Sequence, residues 1–348
     1  MGNRGKYVYG IINTNKELFF GPFGITARED VYTVPYQDIS AIVSDSEIVD
    51  YTHMPKDALA RLLIKHQKVI EKIMSFGHSI IPMRLGTFAV DEAELKNILH
   101  KAYSLIDDIW PKICDKIEID IVVLWGDFNS VLKEVSEEKE IKEFKETLLA
   151  NHEGISVDDQ MKVGVMVKKA LDKKRDDCVF QIQDALKTVS QNSKVHELMD
   201  DKMIMNTAFL INKIQHEDFD KIVEELNTKF NEGLNFRCVG PLPPYSFYTL
   251  QIKKMDFKEV DWARKRLGLS DITTKEEIKK AHRKLAFSLH PDKNPDTLDI
   301  EKEFDDATRA YKILIDYSLA AKQAGQGDNS SFNESEFKKN AILVKVRE

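Results

Sequence analysis

TKEEIKKAHRKLAFSLHPDKNPD, residues 274–296, is the most specific stretch of the chain. Thr274 followed by Glu277 fits a capping box that opens a helix. Ile278, His282, Leu285 and Leu289 then recur at helical spacing and predict one buried stripe. Lys279, Lys280, Arg283 and Lys284 fall on the other side, with Phe287 among them. Residues 275–293 hold six basic and three acidic side chains, hence a local net charge of +3. His290-Pro291-Asp292 ends the helix, because proline pushes the residue before it out of helical geometry. A second helix is expected over about 299–316, with Phe304, Ala307, Ala310, Tyr311 and Leu314 inward. The two make an antiparallel hairpin with a polar tripeptide at its tip.

Working outward, the 348 residues suit two to three domains at ~150 residues each. Hydrophobic residues are 42% and charged residues 31%, enough to build real cores. With 51 basic against 58 acidic residues the formal charge is −7, and the pI is near 5.8. That excludes the basic footprint of a general nucleic-acid binder. Cys114, Cys178 and Cys238 form no CxxC, which argues against a structural zinc site or a disulfide framework and for reduced, cytosolic thiols. The start, MGNRGKYVYG, lacks an apolar stretch, so no leader is expected. No apolar run approaches the ~20 residues that span a bilayer, so membrane insertion is not expected.

Residues 1–127 read as a first α+β subdomain. YVYGII (7–12), ISAIVS (39–44), SIIPMRL (79–85) and IEIDIVVLW (117–125) are strand-like. Helices are expected at 56–75, where Leu59, Leu62, Leu63, Val69, Ile70 and Ile73 share a spacing, and at about 91–110. Residues 128–252 read as a second unit. A solvated, charged helix is followed by a long one at about 159–189. A strand at 203–211, an amphipathic helix around Phe219, Ile222, Val223 and Leu226, and strands at 234–240 and 245–252 complete it. Residues 256–320 read as purely helical. The Gly-, Ser- and Asn-rich stretch that follows reads as a linker within a flexible tail, 321–348. AILVKVRE at the end reads either as frayed or as a strand docking on a sheet edge.

The body offers no P-loop, GxGxxG, GxSxG or HExxH. His66 and Glu71 lie five apart and do not stack cleanly on a helix, so His66 reads as a partly buried or capping residue. Arg84 suits either an anion site or a buried ion pair. Cys238, in a strand, reads as core filling. In GPLPPYSF (240–247), Pro243 and Pro244 stiffen the backbone before Tyr245, Phe247 and Tyr248. The stretch reads either as a stiff start to an edge strand or as a rigid aromatic ledge for a partner. No active site assembles on the sequence.

RLGLSDITTKEEIKKAHRKLAFSLHPDKNPD and EFDDATRAYKILID together resemble the J-domain of the Hsp40 (DnaJ) family, over about a fifth of the chain. The resemblance implies that His290, Pro291 and Asp292 contact an Hsp70 partner and stimulate its ATP hydrolysis. The basic face carrying Lys279, Lys280, Arg283, Lys284 and Phe287 would add attraction to an acidic patch. ATP would be bound by the partner, so no cofactor is expected here. The chain departs from the family in three places: WARKR stands where a tyrosine pair is usual, His282 replaces a core tyrosine, and no basic helix follows Asp316.

YVYGI (7–11), VPYQDISAIVSD (34–45), HQKVIEKIMSFGHSIIPMRLGTF (66–88), KVGVMVKKAL (162–171), NTAFLI (206–211) and GPLPPYSF (240–247) together resemble the gas vesicle GvpL/GvpF family. Leu242, Leu85 and Gln67 stand where that family has an aromatic, a Phe and a Glu, so no role carries over to them. The resemblance implies two α+β parts, the first ferredoxin-like, and an accessory, non-enzymatic role in the cytoplasm or on the gas vesicle. The expected partners are the hydrophobic shell protein, other gas vesicle proteins and Hsp70. Pro243, Pro244, Tyr245, Phe247 and Arg84 are the candidate shell-protein contacts. The alternative is a minor structural component of the vesicle whose hairpin is only an assembly contact.

Overall fold

Strand β1 (Arg4–Ile12) is the spine of the first sheet. Its β-branched and aromatic residues are nearly all buried, with Tyr7 and Tyr9 wholly so. β2 (Phe19–Gly21), β3 (Val31–Tyr36) and β4 (Ile39–Glu47) extend the sheet, α1 (Lys56–Ser75) crosses it, and β5 (Ile81–Pro82), β6 (Phe88–Ala89) and α2 (Glu92–Ile113) follow. The order is β2-β3-β4-β1-β5, antiparallel, with β6 also pairing β1. α1 spans the residues expected of it and buries His66, Val69, Ile70 and Ile73. Leu63, expected on the inner face, is exposed. The run 79–85 is mostly not strand: Ile81 and Pro82 form a two-residue strand, and Met83 makes a single bridge to Leu250. The computed structural model describes residues 3–26, 28–150, 155–231, 233–290 and 299–347.

Strand β7 (Lys116–Trp125) does not join that sheet. After it come α3 (Phe128–Ser136), α4 (Lys139–Ala150), α5 (Val157–Lys187), β8 (Asn192–Val195), β9 (Met203–Asn212), α6 (His216–Lys229), β10 (Leu234–Leu242) and a helical turn, α7 (Tyr245–Tyr248). β7 pairs with β9 and β10 in the order β10-β7-β9-β8. The strand placed in the first segment on sequence is therefore central to the second sheet. Its Ile117, Ile119, Ile121, Val123 and Trp125 point to a dry face, and Phe209 of β9 meets Phe219 of α6 on the same unit, ring centroids 5.7 Å apart. The chain divides into one compact unit of residues 1–112 with 248–348, and another of 113–247. The single charged helix expected at its start is two, α3 and α4, broken at 137–138. The strand expected at 245–252 also differs. Its first half is the α7 turn, opened by proline, whose fixed φ suits a first helical position.

The C-terminal part opens with β11 (Leu250–Lys254) and α8 (Phe257–Arg266). β12 (Ile272–Thr274), α9 (Lys275–Ser288), α10 (Ile300–Gln323), β13 (Asn329–Ser331), α11 (Glu334–Asn340) and β14 (Ile342–Val346) follow. The expected helices are there, with α10 running beyond Asp316. Two short antiparallel ribbons, β11 with β14 and β12 with β13, are added to them. The apolar end of the chain is thus a docked strand. The polar stretch before it is not a linker: Phe332 and Phe337 are buried against Tyr317 together with Val260, Ile278 and Leu314. Two phenylalanines in a polar segment supply enough apolar area to order it. Within the same unit, Arg84 N–H donates to Leu250 O (2.8 Å), Lys254 pairs with Glu94 (2.7 Å), and the buried Lys101 donates to Lys339 O at the end of α11.

Candidate functional site

Helix α9 is built from its cap. Thr274 Oγ1 accepts from Glu277 N–H (3.2 Å), and Glu277 accepts from Thr274 N–H (2.7 Å), satisfying two orphan donors at the helix start. These bonds hold the Glu277 carboxyl below its ordinary range. Of the expected stripe, Ile278 is buried, while His282, Leu285 and Leu289 are half-buried. His282 stacks on Tyr311 of α10 at 4.3 Å and 17°, standing in for an aromatic. Burial pushes its pKa down, and its Nε2 has no partner among the described residues.

On the outer face, Lys280, Arg283, Lys284 and Phe287 are exposed. Lys279 is half-buried and pairs with Glu276 at 2.8 Å, which lowers the Glu276 carboxyl. Among the described residues Lys280, Arg283 and Lys284 have no carboxylate within ion-pair distance, so this face of α9 presents exposed basic side chains. His290 is exposed, its ring edge against Phe304 at 5.8 Å. Pro291 and Asp292 lie outside the described residues.

The GPLPPYSF stretch departs from expectation. Pro243 and Pro244 are buried, and Tyr245 and Phe247 are half-buried on the α7 turn. Pro243 and Pro244 therefore serve the packing of the turn, and of the five candidate contacts it is Tyr245, Phe247 and Arg84 that reach solvent. Arg84 is exposed on the other unit, which overturns the buried ion pair. His66 is fully buried: its Nδ1 lies 2.8 Å from Tyr7 Oη and its Nε2 3.0 Å from Met83 O. Burial holds its pKa at about 4, so it is a neutral structural link. Cys238 is exposed, against the core-filling expectation, while Cys178 is buried.

The sequence reading passed over a polar cluster behind the turn. Glu118 is 1% exposed and accepts from Ser246 N–H and Ser246 Oγ–H, both at 2.8 Å. His196 Nε2 lies 3.1 Å from Ser246 Oγ, and Asp120 flanks Glu118. The signal was present in IEIDI: two acids alternating with isoleucines on one strand put both carboxylates on one face. Among the described residues no group of three His, Cys, Asp or Glu is placed to hold a metal ion, and no helix is long and apolar enough to cross a membrane.

Comparison with known proteins completes the picture. The model of the family described as gas vesicle synthesis protein GvpL/GvpF matches residues 5–249. The chain belongs to the GvpL/GvpF family. A DnaJ domain matches residues 265–322, spanning α9 and α10. Gas vesicle protein F of Haloferax mediterranei is 21% identical over 71% of this chain and 94% of its own length. The chaperone protein DnaJ of Chlorobium phaeobacteroides is 52% identical over 61 residues, 18% of this chain and 14% of that protein. The crystal structure of GvpF from Anabaena shares the fold with a TM-score of 0.61 at 22% identity, covering 70% of this chain and 98% of that one. A GvpL/GvpF body and a J-domain thus stand in one chain, an arrangement that fits chaperone-like assembly of gas vesicles.

Proposed function

We propose that the GvpL/GvpF body holds the hydrophobic shell subunit of the gas vesicle while the C-terminal J-domain recruits an Hsp70 to it, in the cytoplasm or at the growing vesicle. The observation that supports this most is the covalent union of the two modules, with three outward basic side chains on α9 that make no ion pair among the described residues. One chain carrying both contacts makes the second encounter intramolecular and raises its effective concentration. A subunit apolar enough to form a shell aggregates when free, so a holder coupled to an ATP-driven partner suits it. His290, Pro291 and Asp292 are proposed to trigger the partner's ATPase, with Lys279, Lys280, Arg283, Lys284 and Phe287 steering it. Tyr245 and Phe247, set by Pro243 and Pro244, and separately Arg84, are proposed to meet the shell subunit.

A second reading draws support from the way the J-domain is mounted. The tail that follows it is tied into the same compact unit as the first sheet, with the buried Lys101 donating to Lys339 O, the fixed mounting that a structural vesicle component would use. His290→Gln separates the two. The adapter reading expects stimulation of a cognate Hsp70 ATPase to vanish while shell-subunit capture persists. Stimulation equal to that of the unaltered chain removes the Hsp70 role, and stoichiometric retention on washed vesicles then favours the second reading.

A further inference from the structure

Glu118 and Asp120 stand two apart on β7, on the face opposite its isoleucines. Glu118 is shut from water between Leu210 of β9 and Leu242 of β10, its cross-strand neighbours. Asp120 sits between Ala208 and Val239. The two carboxyls share one face of β7, and Asp120 Oδ1 is buried with no partner among the described residues. Two ionised carboxylates side by side in a dry site repel each other, which favours a proton on one of them. Burial pushes both pKa values up, and the Asp120 charge adds to the rise of Glu118, to about 8.

Among the described residues no Lys or Arg lies within ion-pair distance of either carboxylate. His196, following β8, reaches Ser246 rather than either carboxylate. Lys194 of β8, across from Ala208, and Arg237 of β10, across from Val122, are exposed, and neither pairs with the two acids. Lys116 lies at the outer end of β7, and Tyr245 and Tyr248 are the titratable groups on the turn itself. Ser246 closes the cluster: its N–H and hydroxyl both end on Glu118, and its oxygen is left to accept from His196 Nε2.

We infer that Glu118 and Asp120 share a single proton, and that this shared proton latches the 243–247 turn, which opens as the medium turns alkaline. Loss of the proton leaves two negative charges side by side in a dry site, one oxygen of which has no donor to answer it. Water reaches that oxygen by displacing the Ser246 turn. In gas vesicle assembly the latch would set when Tyr245 and Phe247 are held for a client; that consequence rests on the proposed role of the turn, whereas the latch does not.

The test is amide hydrogen exchange on the full chain at about pH 6.5 and about pH 9.5, corrected for intrinsic rates. Opening linked to one proton grows up to tenfold per pH unit above the pair's titration, so protection of 243–248 falls roughly tenfold or more at the higher pH. Glu118→Gln keeps a neutral partner for Asp120 and is expected to keep protection at both values. Equal wild-type protection at both values overturns the latch, as does a Glu118→Gln chain that loses protection like wild type. Should that variant fail to fold, judged by exchange in β9 and α6, the infrared band of a protonated carboxyl in the full chain serves instead. It is expected at neutral pH and absent after Asp120→Asn; its absence from wild type refutes the shared proton. Purified shell subunit is captured at the same two values. Capture unchanged while the turn opens contradicts the client role of the turn and leaves the latch standing.

Discussion

Replacing Phe337 by Ala asks whether the chain's end is part of the J-domain. Phe337 is 6% exposed and packs on Tyr317 at 5.7 Å, nearly parallel, and on Phe257 at 5.3 Å, edge-on. Truncating a buried phenylalanine costs about 3–5 kcal/mol, transfer and cavity together. The core it leaves is small: Val260, Ala263, Leu267, Ile278, Ala310, Leu314, Tyr317 and Phe332. Local opening of the hairpin should therefore become easier by at least about 3 kcal/mol, roughly a hundredfold in exchange protection. The assay is amide exchange along α9 and α10, with Lys338→Ala, on an exposed side chain, as a control expected to stay within about 0.5 kcal/mol. A Phe337→Ala chain whose α10 amides around Ala310 and Leu314 keep full protection refutes the claim that the tail completes this core. Loss of protection confined to α11 would refute it equally.

Two further outcomes follow from single side chains. His66 is held neutral with a pKa of about 4, against ~6.5 when unfolded, so the unfolded chain binds more protons between those values. Its contribution is fully present above pH 6.5 and is lost as pH falls toward 4. That amounts to about 3 kcal/mol, seen as an acid-side slope of denaturant stability of the unit that holds it; His66→Phe should flatten the slope. Lys284→Glu should weaken Hsp70 association mainly through the on-rate, an effect that fades as salt rises past ~0.15 M, because exposed charges are screened. An equal deficit at high salt would contradict a steering role.

How much was legible varied with how local each signal was. α1 was legible to the residue because its periodicity and ends are properties of the helix alone. The capping box at Thr274 and Glu277 was legible for the same reason. β7 was read as a strand but assigned to the wrong sheet, since strand type is local and strand partner is not. β3 carries Pro35 and escaped notice as a strand. Tyr245–Tyr248 looked like a strand from its aromatics, yet proline geometry and the two bonds from Ser246 to Glu118 wind it into a turn. Phe332 and Phe337 were outvoted by polar neighbours when composition was averaged, although two buried rings decide whether a segment orders. The basic face of α9 was readable because charge at helical spacing needs no tertiary partner, whereas the Glu118 cluster is assembled from three separate segments: β7, the α7 turn and the residue after β8.

The central claim is that one chain joins a gas vesicle subunit to an Hsp70. Its most direct test is sequential capture: tagged shell subunit is pulled down first, and Hsp70 bound through this chain is measured in the presence of ATP. The account predicts that Hsp70 is retained with the full chain, is lost with His290→Gln, and that the shell subunit holds both chains equally. Hsp70 retained equally by the two chains, or a shell subunit that holds neither, would contradict it.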